Sequence, residues 1–252
     1  MVNEKYHGLG TAPSVIRELF AYGLQQAKVV GKENVFDYSL GNPSIPAPAK
    51  VNETIKKLID TTDSIQLHGY SMAPGFENVR QAIADNLNAR FNCNAKASEL
   101  FMTCGCAPAL VSVAHALTTS PEDEFIAIAP FFPEYNVFFT CAGAKLAVVP
   151  ADTVHFQIDM DALEKTINEH SVAVVINSPN NPSGVVYTEE TLTKIAELLE
   201  RKSKEYGHPI YIVADEPYRE LVYDGVKVTF IPNVYDNTIV CYSWSKSLSL
   251  PG

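Results

Sequence analysis

The chain has 252 residues, of which 46% are hydrophobic, so it can bury one large core or one core and part of a second. Nineteen basic residues stand against 29 acidic residues, and the net charge of −10 argues against nonspecific nucleic-acid binding and favours a freely soluble cytoplasmic protein. No apolar stretch approaches membrane-spanning length, and the first residues lack the apolar core of a signal peptide.

The N-terminal 48 residues are predicted to be separate from the rest of the chain. Pro13 and Ser14 indicate the start of a helix, and Gly31 indicates its end. Three prolines between residues 43 and 48 are typical of a linker. We therefore place a domain boundary near residue 48, and residues 49–252 form the larger domain.

Two helices are expected after this linker, with residues 68–70 in the loop between them. The second helix has a row of apolar side chains on one face, which would pack against the core. These side chains are Phe76, Val79, Ile83, Leu87 and Phe91.

From residue 100 onward, short apolar runs alternate with stretches of helical pattern. The predicted strands are residues 100–103, 125–129, 146–149, 172–176, 210–214 and 239–242. The predicted helices are residues 109–118, 135–142, 159–168 and 189–206. Strands that are apolar on both faces and alternate with helices indicate an α/β fold, a three-layer sandwich with a mostly parallel central sheet.

The cysteines are predicted to be reduced thiols, because their number is odd and most lie in apolar runs. Cys104 and Cys106 have no second pair that would complete a zinc site, so no metal site is predicted. The five cysteines are Cys93, Cys104, Cys106, Cys141 and Cys241.

Two segments that follow predicted strands contain glycine or aromatic residues. Residues 104–108 (CGCAP) open a helix, where backbone amides and the helix dipole favour a phosphate group. An ordinary tight turn is the alternative. Residues 130–135 (PFFPEY) place two aromatic rings side by side, which would cover a planar ligand ring or fill the core.

Two other strands are followed by polar residues. Residues 177–184 (NSPNNPSG) contain no large apolar residue, and three asparagines are more than a simple turn needs. Asp215 follows the next buried strand, where a carboxylate is costly unless cations or hydrogen-bond donors surround it. The alternative for Asp215 is the capping of a following helix.

Lys246 lies just beyond the last predicted strand, where open α/β sheets place their chemistry. Partial desolvation there would lower the pKa of the lysine and make its amine a nucleophile toward carbonyl groups. The alternative is a solvated loop lysine. The segments upstream of Lys246 favour the first interpretation.

Three motifs together carry a family resemblance: NSPNNPSG, DEPY at residues 215–218 and SWSKSLSLPG at residues 243–252. In this order and spacing they resemble the pyridoxal-phosphate-dependent aminotransferases of fold type I, class I/II, which are aspartate-aminotransferase-like. The resemblance extends from Gly41 to the end of the chain. It implies that residues 49–252 form the large cofactor-binding domain and that residues 1–48 contribute to the small domain.

The resemblance implies roles for the residues around the cofactor ring. Lys246 resembles the lysine that forms a Schiff base with pyridoxal 5'-phosphate, and Asp215 resembles the carboxylate that pairs with the pyridine nitrogen. Tyr218 and Asn181 match the donors to the ring hydroxyl, and Phe132 matches the aromatic residue stacked on the ring. Lys246, Asp215 and Tyr218 are the implied catalytic residues.

The resemblance also implies contacts at the edges of the site. Gly41 matches a backbone contact near the substrate carboxylate, where Asn181 also binds substrate. Tyr70 resembles a tyrosine that reaches the cofactor phosphate of a neighbouring subunit, which implies a homodimer. The residues that match the family's phosphate contacts are Gly105, Cys106, Ala107 and Ser243.

The activity implied by the resemblance is transamination between an L-amino acid and a 2-oxo acid. A β-eliminating lyase resembling cystathionine β-lyase would use the same residues, and a cofactor-binding regulatory module is a further alternative. The acidic charge and the lack of a helix-turn-helix segment before residue 50 count against the module. The sequence does not identify the amino-acid substrate.

The chain departs from the family pattern at two places. It stops at Gly252, before the arginine that clamps the phosphate and before the C-terminal small domain, so we expect a shortened form with doubtful activity of its own. Cys106 stands where the family more often has serine or alanine, which would weaken a phosphate contact.

Overall fold

The computed structural model describes residues 2–251, which separate into two compact units. The first unit runs to Pro46 and includes Pro251, and the second runs from Ala47 to Leu250. The division falls between Pro46 and Ala47, and the domain assignments of residues 1–48 and 49–252 stay predictions. Within the described residues, no helix is long and apolar enough to cross a membrane.

The first unit consists of helices α1 (Glu4–Thr11) and α2 (Val15–Val30), followed by a 3₁₀ turn at Lys32–Asn34. Helix α2 begins and ends as predicted, and Gly31 after it has φ +91°, a conformation that glycine adopts without strain. Helix α1 was not predicted from the sequence. Its N-terminus is capped by the Asn3 side chain, which accepts a hydrogen bond from the Tyr6 amide at 3.3 Å.

The second unit begins with three helices, so the prediction of two was wrong. They are α3 (Ala49–Thr61), α4 (Ser64–His68) and α5 (Glu77–Phe91). Asp63 starts the short α4, because its carboxylate accepts hydrogen bonds from the amides of Ile65 and Gln66. The connecting loop therefore starts at Gly69, and His68 is the last residue of a helix.

The strand predicted at residues 100–103 is not formed. A 3₁₀ turn at Ala97–Glu99 precedes an extended segment in which Phe101 is exposed. The Met102 amide donates to the carbonyl of Pro74 at 3.1 Å. Pro74 has no N–H group, so it cannot donate the second hydrogen bond that pairing of two strands would require at this position.

The other predicted strands and helices form the α/β core, within a few residues of their expected limits. The strands are β1 (Glu124–Ile128), β2 (Lys145–Val149), β3 (Ser171–Asn177), β4 (Tyr211–Asp215) and β5 (Thr238–Cys241). The predicted helices are α6 (Cys106–Leu117), α7 (Glu134–Cys141), α8 (Met160–Thr166) and α9 (Glu189–Tyr206). A single helical turn, α10 (Trp244–Ser247), was not predicted. The strands pair in the order β2-β1-β3-β4-β5, and every pair is parallel.

Both faces of this sheet are buried, which confirms the predicted three-layer arrangement. Along β1, Ile126 and Ile128 pack with residues of α8 and α9, while Phe125 and Ala127 pack with residues of α6 and α7. Alternate residues of a strand point to opposite faces, so a strand covered on both sides must be apolar throughout. The parallel register places Asn177 opposite Asp215 and Asp215 opposite Cys241 at the carboxyl edge of the sheet.

Candidate active site

Asp215 is the last residue of β4, and its side chain is buried at 5% exposure. Its Oδ2 accepts a hydrogen bond from Tyr135 Oη at 2.5 Å, and its Oδ1 accepts one from Cys106 Sγ at 3.2 Å. Burial raises the pKa of the carboxyl group, while these two hydrogen bonds oppose the rise because they stabilise the anion. A turn rather than a helix follows, so Asp215 does not act as a helix cap.

Tyr135 lies in the first turn of α7, and its ring packs among phenylalanines. The ring centroid of Tyr135 is 5.8 Å from that of Phe132, edge to face, and 6.0 Å from that of Phe139. Burial, reinforced by the adjacent Asp215, raises the pKa of the Tyr135 hydroxyl well above its ordinary value, so it remains a donor. Tyr135 therefore connects Asp215 to Phe132, the residue predicted to stack on the cofactor.

Asn177 at the end of β3 joins the polar loop to the end of β4. Its Nδ2 donates to the backbone carbonyl of Asp215 at 2.7 Å, and its Oδ1 accepts from the Asn181 amide at 2.6 Å. Burial raises the pKa of the half-buried Tyr218 hydroxyl, and the nearby Asn181 side chain opposes this rise. These contacts bring Asn181, Asp215 and Tyr218 together at the carboxyl edge of the sheet.

Helix α6 begins at this same edge, because Cys106 at its first position contacts Asp215. The residue before it, Gly105, has φ +107° and ψ −179°, a conformation essentially restricted to glycine. The first amides of a helix have no partner within the helix and carry the positive end of its dipole. Gly105, Cys106 and Ala107 thus form a turn suited to an anion.

Lys246 lies in the single helical turn α10, which begins three residues after β5 ends. Ser243 precedes this turn and is buried, while Lys246 is half-buried. Burial lowers the pKa of the Lys246 amine, so more of it is neutral near pH 7 than for an exposed lysine. A neutral amine is the nucleophilic form.

A buried cation supports the turn that carries Lys246. The Arg219 guanidinium donates to Glu216 Oε2 at 2.5 Å, and its central carbon lies 4.8 Å from the ring centroid of Tyr242. Tyr242 Oη lies 2.8 Å from Glu220 Oε2 and 3.1 Å from the hydroxyl of Ser247. Through Tyr242, Ser247, which follows Lys246, is thereby connected to Glu220 in the turn after β4.

Two other predicted site residues lie outside the segments that follow the strands. Gly41 is exposed and belongs to the first compact unit. Tyr70 is fully exposed in the loop between α4 and α5. Tyr135 was not among the predicted site residues, although a tyrosine among apolar helix residues needs a partner for its hydroxyl.

Comparison with known proteins shows the family of this chain. The sequence model for aminotransferase class I and II matches residues 33–252. The chain belongs to this family. Among its relatives is a probable N-acetyl-LL-diaminopimelate aminotransferase of Bacillus subtilis, 31% identical over 240 residues, which are 94% of this chain and 58% of the relative.

Solved structures of aminotransferases have the same fold as this chain. An amino transferase from Eubacterium rectale is 60% identical with a TM-score of 0.98, and the match covers 100% of this chain and 63% of that one. Aspartate aminotransferase from Thermus thermophilus, solved with maleate, is 24% identical with a TM-score of 0.84 over 100% of this chain and 62% of that one. This class I/II aminotransferase chain therefore spans 58–63% of the length of these relatives.

Proposed function

We propose that this protein catalyses pyridoxal-phosphate-dependent transamination between an L-amino acid and a 2-oxo acid. The observation that carries the proposal is the buried Asp215 carboxylate, held by donors at the end of β4, one strand from the segment that carries Lys246. Relatives named as aminotransferases, including an aromatic-amino-acid aminotransferase of Thermococcus litoralis that is 29% identical, support the reaction class.

The chemistry of these side chains fits the cofactor. An anionic Asp215 would hold a proton on the pyridine nitrogen, because a carboxylate in a buried site interacts strongly with a nearby positive charge. Asn181 and Tyr218 would donate hydrogen bonds to the ring hydroxyl, and Phe132 would cover one face of the ring. When bound, the cofactor withdraws electrons from the substrate Cα.

The phosphate group would bind at the start of α6. The amides of Cys106 and Ala107 lie in the first helical turn, where the dipole favours an anion. Gly105 supplies the backbone conformation that starts this turn, and a Cβ added there would meet no atom within 4 Å. Glycine is therefore required for its φ angle. Ser243 would add a hydroxyl donor from the end of β5.

Lys246 would perform both the covalent attachment and the proton transfer. Its neutral amine would hold the cofactor covalently at the aldehyde carbon, with the aldehyde oxygen leaving as water. Lys246 Nζ would also take the proton from the substrate Cα as a general base. The lowered pKa of this amine favours both roles near neutral pH.

The edges of the site would come from other parts of the protein. We infer that Gly41 contributes a backbone contact to the substrate carboxylate, together with Asn181. We also infer a homodimer in which Tyr70 reaches the cofactor phosphate in the partner subunit. The complete exposure of the Tyr70 side chain supports a role at an interface. Analytical ultracentrifugation tests the dimer.

Replacement of Lys246 tests the proposed function. The Lys246→Ala variant should lose cofactor trapped by borohydride and lose turnover by about 10²–10⁴-fold or more. Lys227→Ala is the matched control, because Lys227 is an exposed lysine of the same unit, and it should retain both properties. Peptide mapping that finds the label on another lysine would contradict the assignment. Release of pyruvate and ammonia without any oxo acid would instead identify a lyase.

A further inference from the structure

The two carboxylate oxygens of Asp215 have different donors, and each donor comes from the start of a different helix. Tyr135 of α7 donates to Oδ2 at 2.5 Å, and Cys106 of α6 donates to Oδ1 at 3.2 Å. The donors lie 80 and 109 residues from Asp215 in sequence. A carboxylate held through both oxygens cannot rotate without breaking a hydrogen bond.

We propose that Cys106 and Tyr135 are positioning residues that hold the Asp215 carboxylate in one orientation by donating to both of its oxygens. This inference deepens the proposed function, in which Asp215 faces the pyridine nitrogen. It also gives the thiol of Cys106 a role that differs from a phosphate contact.

Tyr135 is the stronger of the two donors. Its 2.5 Å distance is typical of an O–H group that donates to a carboxylate, whereas a thiol is a weak donor. Its ring packs against both Phe132 and Phe139, so the hydroxyl has little freedom to turn away. The Tyr135→Phe substitution keeps this ring packing and removes only the hydroxyl group.

Cys106 ties Asp215 to the turn proposed to bind phosphate, because it directly follows Gly105 at the start of α6. Cys241 offers a matched comparison. Cys241 is buried, whereas Cys106 is half-buried, and it lies opposite Asp215 in the parallel register, but no hydrogen bond joins its thiol to that carboxylate in the described residues. The titratable groups that face Asp215 are Tyr135, Cys106, Cys241, Glu216 and Tyr218.

The first test measures the pKa of Asp215 in the cofactor-free protein by carbon-13 NMR of labelled aspartate carboxyl groups, with Asp215→Asn to assign the signal. Loss of a donor to the anion raises this pKa. Tyr135→Phe should raise it by about one to two units, and Cys106→Ala by about half a unit to one unit. Cys106→Ser retains a donor and should restore the parental value, and Cys241→Ala should leave it unchanged.

The second test measures the equilibrium affinity for pyridoxal 5'-phosphate. Tyr135→Phe and Cys106→Ala should each weaken binding by about fivefold or more, and Cys106→Ser should recover most of it. An unchanged Asp215 pKa in both Tyr135→Phe and Cys106→Ala would overturn the inference. A shifted pKa in a protein whose Lys246 does not take up the cofactor would sustain the inference and reject the proposed function.

Discussion

Replacement of Asn177 by alanine should destabilise the protein far more than an average asparagine substitution. The side chain is 5% exposed and makes two hydrogen bonds to backbone groups, at 2.7 Å to the Asp215 carbonyl and at 2.6 Å from the Asn181 amide. Each backbone group left unpaired in a buried site costs about 1–3 kcal/mol. Because water can enter part of the space left behind, we expect the free energy of unfolding to fall by about 2–4 kcal/mol.

Urea unfolding measures this loss, with the fluorescence of the single tryptophan, Trp244, as the signal. Asn180→Ala is the matched control from the same loop. The Asn180 side chain is also buried, at 7% exposure, but both hydrogen bonds that it accepts, at 3.0 and 2.8 Å, come from the half-buried Ser183. Water can reach Ser183 once the Asn180 side chain is removed, so the control should lose only about 1 kcal/mol. Equal losses below about 1 kcal/mol in both variants would refute the reasoning.

Two further predictions concern Glu216 and Gly105. Burial raises the pKa of Glu216 from 4.5 to about 7, so the stabilisation by the protonated carboxyl group is complete below about pH 4.5 and is lost as pH rises through about 7. The free energy of unfolding should therefore fall over this range by at most about 1.4 kcal/mol per pH unit, and Glu216→Gln should flatten the fall. Urea unfolding at several pH values measures it, and the same pH dependence in Glu216→Gln and the parent would contradict the prediction. Gly105→Ala should lower the free energy of unfolding by about 1–3 kcal/mol because of the φ of +107°, and a loss below about 0.5 kcal/mol would show that the turn relaxes.

The α/β core could be predicted because its signals are local. Helix α9 begins and ends where its pattern indicates, with Thr188 as a cap that accepts from the Thr191 amide and Gly207 in the left-handed conformation after it. The three central strands, β1, β3 and β4, are nearly continuous apolar runs because each is covered on both faces. The local pattern predicted a strand wrongly at residues 100–103, because this apolar run pairs with no strand among the described residues.

The motifs determined which chemical groups follow the strands: the asparagines after β3, Asp215 at the end of β4 and Lys246 after β5. Only the tertiary structure decided what these groups contact. No spacing in the sequence indicates that Tyr135 and Cys106 donate to one carboxylate, because they approach it through the packing of α7 and α6 on the sheet. Hydrogen bonds across 80 or 109 residues depend on strand order, parallel register and helix packing, whereas local periodicity reports only which faces of each element are buried.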